Sequence, residues 1–333
     1  MVRFFGSTFL AIFLYAMLSA VVLLFSMVFY QKGVVVNLPW ISSVQSQLYS
    51  ESRNIWQANP DCVVFDSEVI YKPKIGKCHF NNLEYQTELN FSTEGRYTGE
   101  KPSGTGIAVL GDSHAMGWGV ADNETFSSEL QRLSGRPVFN LGVSSYATDR
   151  ELIRLEKSGV LEKVDTVIIQ YCENDLDENA IFQPLVPEVA KQKFPGSASQ
   201  PRSLSNRLNY IRKAYWVALK DPFSLVRNKL APKPEKTKDF TEHYQPFIDS
   251  IKRHDGLRTK RVIVFYSNAH GKKFTAFPDG KDPQLHNLEF IDLELSRSDY
   301  FEIDDHLHSA GHAKAGQRLF QIIQSRDDLS ITQ

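Results

Sequence analysis

The sequence predicts a three-layer α/β/α domain carried on one N-terminal transmembrane helix. Two observations predict it. From Ile107 onward, short continuous apolar runs alternate with helix-period segments, the pattern of a parallel sheet covered on both faces. Ahead of them, no charged residue stands between Phe4 and Gln31. About 20 such apolar residues suffice to cross a bilayer as a helix.

Residues 1–32 are therefore read as an anchor. A cleaved signal peptide has an apolar region of only about 7–15 residues. Cutting near Leu18-Ser19-Ala20 would also leave the apolar run Val21–Tyr30 in place. Arg3 and Lys32 flank the run and nearly balance, so charge orients the helix weakly. One anchor followed by a long polar remainder fits a cytoplasmic N-terminus and an extracytoplasmic body, periplasmic in a bacterium.

Residues 33–104 carry turn signals at Asn59-Pro60-Asp61, Lys72-Pro73-Lys74 and Gly95 but no long periodic segment. This stretch is expected to be an irregular extracytoplasmic segment packed on the main domain. Cys62 and Cys78 within it can pair in an oxidising compartment. Two separate thiols are the alternative.

The main domain spans residues 105–333. Its expected strands are Ile107–Leu110, Pro137–Leu141, Val164–Tyr171, Arg261–Tyr266 and Leu288–Leu293, about five in all. Its expected helices are Thr125–Leu133, Asp149–Lys157, Glu242–Arg253 and Ala310–Gln324, the first capped by Thr125. A basic insertion at about 188–239 interrupts the rhythm, with twelve Lys or Arg against four Asp or Glu. Within it Tyr210, Ile211, Tyr215, Trp216 and Leu219 suggest a partly amphipathic helix. It reads as a solvated lid, or as a surface for anionic glycans or lipid headgroups. The whole chain has a net charge of −1, so nothing points to nucleic acid.

Parallel sheets place their sites at the carboxyl ends of strands. Gly111-Asp112-Ser113, Gly142 and Asn174 all fall there. A serine hydroxyl needs a base, an orienting acid and oxyanion donors to act as a nucleophile. The base and acid lie in Asp304-Asp305-His306-Leu307-His308-Ser309-Ala310-Gly311-His312, just before the last helix. Gly142 lets backbone approach a ligand, and the Asn174 amide carries two N–H donors. Asp112 reads as a turn-stabilising residue, and His114 as a packing or gating neighbour rather than a second base.

Four blocks in this order resemble the SGNH hydrolases, the GDSL-like esterase and acyltransferase superfamily, over roughly residues 107–324. The resemblance implies Ser113 as nucleophile, with the Ser113 N–H, the Gly142 N–H and the Asn174 side chain as oxyanion hole. The family histidine stands five residues before a glycine, which selects His306 ahead of Gly311 rather than His308. The usual Asp-x-x-His would put the acid at Ile303, so the chain departs there. Asp304 gives a shortened Asp-x-His, while Asp305 and His308 keep the Asp-x-x-His spacing at the wrong distance from the glycine. Asp304 with His306 is the expected pair. Cys172 stands where the family's third block often has glycine.

The expected activity is ester hydrolysis or acyl transfer on an acyl ester, with an extracytoplasmic glycan as candidate substrate and no cofactor or metal. Two rivals use the same residues. One is a low-turnover binding or assembly protein on this fold. The other is a metal-dependent hydrolase in which His306, His308 and His312 converge on an ion.

Overall fold

A computed structural model describes residues 2–181, 187–194, 204–230, 241–267 and 287–331. In chain order the elements begin with α1 (Val2–Gln31), α2 (Pro39–Ser52), β1 (Val63–Asp66), β2 (Ile70–Pro73), β3 (Gly76–Asn82), β4 (Tyr85–Ser92) and β5 (Gly95–Arg96). There follow β6 (Gly106–Leu110), α3 (Ser113–Met116), α4 (Phe126–Ser134), β7 (Val138–Asn140), α5 (Thr148–Lys157), β8 (Val164–Tyr171), α6 (Asp175–Ile181) and α7 (Pro187–Lys193). The last are α8 (Leu204–Leu230), α9 (Thr241–Arg253), β9 (Arg261–Tyr266), β10 (Leu288–Ile291) and α10 (Ser309–Ile331).

The five expected strands form the parallel run β10-β9-β8-β6-β7. Alternation along each strand sends side chains to opposite faces. Ala108, Leu110, Val167 and Val262 pack under α5 and α9 with Leu152, Leu155, Phe247 and Ile251. Ile107, Val109, Ile168 and Ile263 pack under α4 and α10 with Phe126, Leu130, Leu319 and Ile323. This is the three-layer arrangement. α10 runs farther than its periodic apolar residues suggested, to Ile331.

The segment 33–104 is not irregular. It holds α2 and five strands, and β5, β4 and β3 extend the sheet antiparallel beyond β7, giving eight strands. Its strands are short and cut by turns, so no single one shows a long period. Their burial comes from partners distant in sequence. Trp56, Phe80, Leu89 and Phe91 form one apolar cluster with Met116, the last residue of α3, and Trp118 just after it. Cys62 and Cys78 are bonded to each other inside this cluster.

Arg96 ties this extension to the main domain. Its guanidinium is fully buried and donates to Asp122 Oδ1 (2.8 Å) and to the carbonyls of Met116 (2.7 Å), Gly117 (2.6 Å) and Val120 (2.6 Å). One cation thus fixes the loop that follows Ser113. Arg96→Ala leaves three buried carbonyls and a carboxylate without their donor. It should cost about 3–5 kcal/mol, the range for breaking a buried ion pair, read as a lower midpoint in denaturant unfolding.

Candidate active site

β6 delivers Ser113 to the end of the sheet. Gly111 turns the chain at φ 142°, and a Cβ there would stand 2.5 Å from Gln170 Oε1, so the turn needs glycine. Gln170, buried on β8, accepts the N–H groups of Asp112 (3.0 Å) and Ala115 (3.2 Å). Asp112 caps α3 by accepting the His114 N–H at 2.9 Å. Ser113 is the first residue of that helix, so no intrahelical acceptor takes its N–H.

The partners arrive on the loop before α10. Glu84, at the β3–β4 turn, accepts the N–H groups of Glu302 (2.8 Å), Ile303 (2.9 Å) and Asp304 (2.6 Å). The loop so held brings His306 Nε2 to 2.7 Å from Ser113 Oγ. His306 Nδ1 lies 2.5 Å from Asp304 Oδ1 and 3.2 Å from Asp305 Oδ1. The Trp118 indole stacks on the imidazole, with centroids 4.7 Å apart and planes 12° apart.

Asp304 is fully buried and well hydrogen-bonded. Its Oδ2 accepts the Tyr49 hydroxyl, the Trp118 Nε1–H (3.1 Å) and the Tyr85 hydroxyl (3.3 Å). Burial works against its charge, but the His306 charge and hydrogen bond and the Tyr49 hydroxyl hold the carboxyl below its usual range. Burial works against the imidazolium too, and the Asp304 charge and hydrogen bond outweigh it, raising His306 to about 9. His114 sits beside it, ring centroids 4.7 Å apart. Burial and then the His306 charge push His114 down to about 4. His114 is thus a neutral wall of the site.

The site opens into a cavity of about 860 Å³. Arg53, Gln57, Ser144, Cys172, Asn174 and His243 line it beside Ser113 and His306. Arg53 lies 3.2 Å from Asp305, which orients that carboxylate toward the same His306 nitrogen.

The structure therefore brings Ser113, His306 and Asp304 together and puts Asn174 on the same cavity. It does not bring Gly142 there. The Gly142 N–H donates to Asn140 Oδ1 at 3.0 Å, and its missing side chain lets it pass behind α3, where a Cβ would stand 2.4 Å from the Met116 nitrogen. The histidines of the terminal block diverge. His308 bonds the Ser298 carbonyl (2.9 Å) and the Gly311 N–H (3.2 Å), and His312 accepts the Phe126 N–H (3.2 Å). The three rings do not converge on one point, so the histidine metal site expected by the rival reading is not formed. Asp304, Asp305 and His306 do cluster. There both carboxylates meet one imidazole nitrogen, and the far oxygen of Asp304 faces hydrogen-bond donors.

Sequence reasoning missed Tyr49, Arg53, Glu84, Tyr85, Trp118 and Gln170. A signal for α2 existed: Pro39 at its first position, then Val44 and Leu48 one turn apart, both buried. Nothing local marks Tyr49 as a partner of a residue 255 positions away.

Among known proteins, no family model matches the sequence, and neither does any curated protein. Solved structures do match. A member of the lipolytic protein G-D-S-L family from Veillonella parvula aligns over 66% of this chain and 99% of its own, at 12% identity and TM-score 0.35. A family two carbohydrate esterase from Clostridium thermocellum, in complex with cellohexaose, aligns over 69% of this chain and 67% of its own, at 12% identity and TM-score 0.34. A carbohydrate acetylesterase family member from Sinorhizobium meliloti aligns over 66% and 98%, at 13% identity and TM-score 0.31. With TM-scores this low, none of the three bears on function.

Tyr49→Phe tests the support of the acid. A hydrogen bond to a charged group contributes about 1.5–3 kcal/mol, so kcat should fall roughly tenfold or more with KM little changed, since Tyr49 does not line the cavity. Asp304 with fewer donors holds the imidazolium more tightly, so the acid limb of kcat/KM against pH should move to higher pH. A fall in kcat with no movement of that limb would contradict this role.

Proposed function

We propose that the protein is a membrane-anchored serine esterase or O-acyltransferase. The observation that carries this reading is the unbroken relay from Ser113 Oγ to His306 Nε2 (2.7 Å) and from His306 Nδ1 to Asp304 Oδ1 (2.5 Å) at the mouth of a large cavity. His306 accepts the Ser113 proton as Oγ attacks the ester carbonyl. The oxyanion is met by the Ser113 N–H and the Asn174 amide. Collapse breaks the ester C–O bond, and His306 gives its proton to the leaving alkoxide. An acyl-serine remains. Water then attacks it for hydrolysis, or a hydroxyl of an acceptor for transfer, with His306 again the base. Gly142 is left out of the oxyanion hole, since its N–H is taken by Asn140.

The cavity wall is rich in hydroxyl, amide, imidazole and charged groups, with Ile55 and Leu176 its aliphatic members. That lining suits a short acyl group on a hydroxyl-rich alcohol, in keeping with an O-acylated glycan. α1 carries no charged residue from Phe4 to Gln31, and Phe9 to Leu14 stand exposed on nearly every face, which supports a membrane span. The Cys62–Cys78 bond suits an extracytoplasmic catalytic domain.

Ser113→Ala should lower kcat on short acyl esters by roughly six orders of magnitude, with no effect of chelator on the parent enzyme. Retained turnover in Ser113→Ala would refute the mechanism. The base must be unprotonated to act, so His306 is inactive below its own pKa and active above it. Activity should therefore climb from neutral pH with an apparent pKa of about 9. A plateau reached near the ordinary imidazole value would contradict the relay as drawn.

A further inference from the structure

Glu151, on α5, is 1% exposed, and neither of its carboxyl oxygens has a hydrogen-bond partner among the described residues. An ionised carboxylate held in that state is very costly. Its neighbours add acceptors. Thr148 stands one turn before it on α5, and Asp175 and Asn179 stand one turn apart on α6, which packs against α5. Asn179 Nδ2 donates to Thr148 Oγ1 (3.0 Å), which joins the two helix faces and leaves the buried Asn179 Oδ1 without a donor. Asp175 is fully buried as well. Its Oδ2 accepts the Cys172 N–H (3.3 Å), and its Oδ1 accepts nothing.

The charged groups around this cluster bring it no donor. Asp112 at the cap of α3, Tyr171 and Cys172 at the end of β8, and Glu178 on α6 are all acids. Arg150 acts on both carboxyls, but its guanidinium is held by Glu178 at 2.5 and 2.6 Å. On α9, His243 is bonded to the Tyr171 hydroxyl (3.0 Å), and Arg253 and His254 are paired with Asp149. Burial, and then the charge of Asp175, push the Glu151 carboxyl well above the usual carboxylate range. Burial and the charge of Asp112 push Asp175 up likewise. Two carboxyls sharing one buried site do not both ionise.

We propose that Glu151 and Asp175 share one proton, and that this acid pair positions the Asn174 amide for the oxyanion. Glu151, as the neutral acid, donates its O–H to Asp175 Oδ1, so that one acceptor becomes the donor the cluster lacks. Asp175 keeps its charge on the side of Oδ2, which holds the Cys172 N–H, while its own N–H donates to the Cys172 carbonyl (3.2 Å). These two bonds close the turn Cys172-Glu173-Asn174-Asp175 and set Asn174 on the same cavity as Ser113. The role given to Asn174 rests on the esterase reading; the shared proton does not.

Infrared spectroscopy of the full chain at neutral pH reads the proton without turnover. The parent should show the carbonyl stretch of a protonated carboxyl that is missing from Glu151→Gln. No such difference, or calcium or magnesium bound in equal amount to the chain by elemental analysis, overturns the shared proton. Kinetics on a short acyl ester reads the positioning. Glu151→Leu should lower kcat about tenfold, the effect of one hydrogen bond to a charged group. Glu151→Gln, whose amide N–H replaces the acid O–H, should restore most of it. Combined with Asn174→Ala, Glu151→Leu should cost little more than Asn174→Ala alone, because the donor it positions is already gone. Losses that multiply in the double variant overturn the positioning role. The infrared band without any ester turnover overturns the esterase reading and the positioning role with it, and leaves the shared proton standing.

Discussion

The buried carboxylate of Asp304 is the constraint around which this molecule is arranged. A charge removed from water is very costly unless paired and fully hydrogen-bonded. Here one oxygen takes His306 and the other takes donors from Tyr49, Tyr85 and Trp118. These come from four parts of the chain: α2, the β3–β4 hairpin, the loop after Ser113, and the segment before α10. None of the four can move alone without leaving a buried group unpaired. The same contacts that satisfy Asp304 also fix the imidazole ring in line with Ser113 Oγ.

The support continues outward in layers. Glu84 binds three backbone N–H groups of the loop that carries Asp304, and Arg96 binds three carbonyls of the loop that carries Trp118. Both come from the segment that precedes the parallel sheet. The sheet extension is therefore structural support for the site. Without it, Asp304 would lose the Tyr85 hydroxyl and the loop of Trp118 would lose Arg96.

α2 has two roles at its two ends. Its first turn bonds α8 through Trp40, and its last turns give Tyr49 to Asp304 and lead to Arg53 on the cavity wall. A single helix of 14 residues thus joins the cluster of α1, α2 and α8 to Asp304.

By itself the sequence determined the parallel core and named Ser113, Asn174 and His306, which the structure gathers at one cavity. Apolar strands of the β8 and β9 kind are legible because burial on both faces demands continuous hydrophobicity, and Ser113, Asn174 and His306 are legible because they sit at strand ends or before the last helix. Only the tertiary structure decided the rest. Asp304 outranks Asp305 because its side chain is fully buried, stands nearer Nδ1 (2.5 Å against 3.2 Å) and is satisfied on its far side, whereas Asp305 is partly exposed and shares its oxygen with Arg53. Gly142 packs behind α3 because a backbone nitrogen occupies the space a side chain would need. The order in residues 33–104 was invisible because its strands are stabilised by partners far along the chain. Periodicity records how one segment meets its surroundings; it does not record which distant segment those surroundings are.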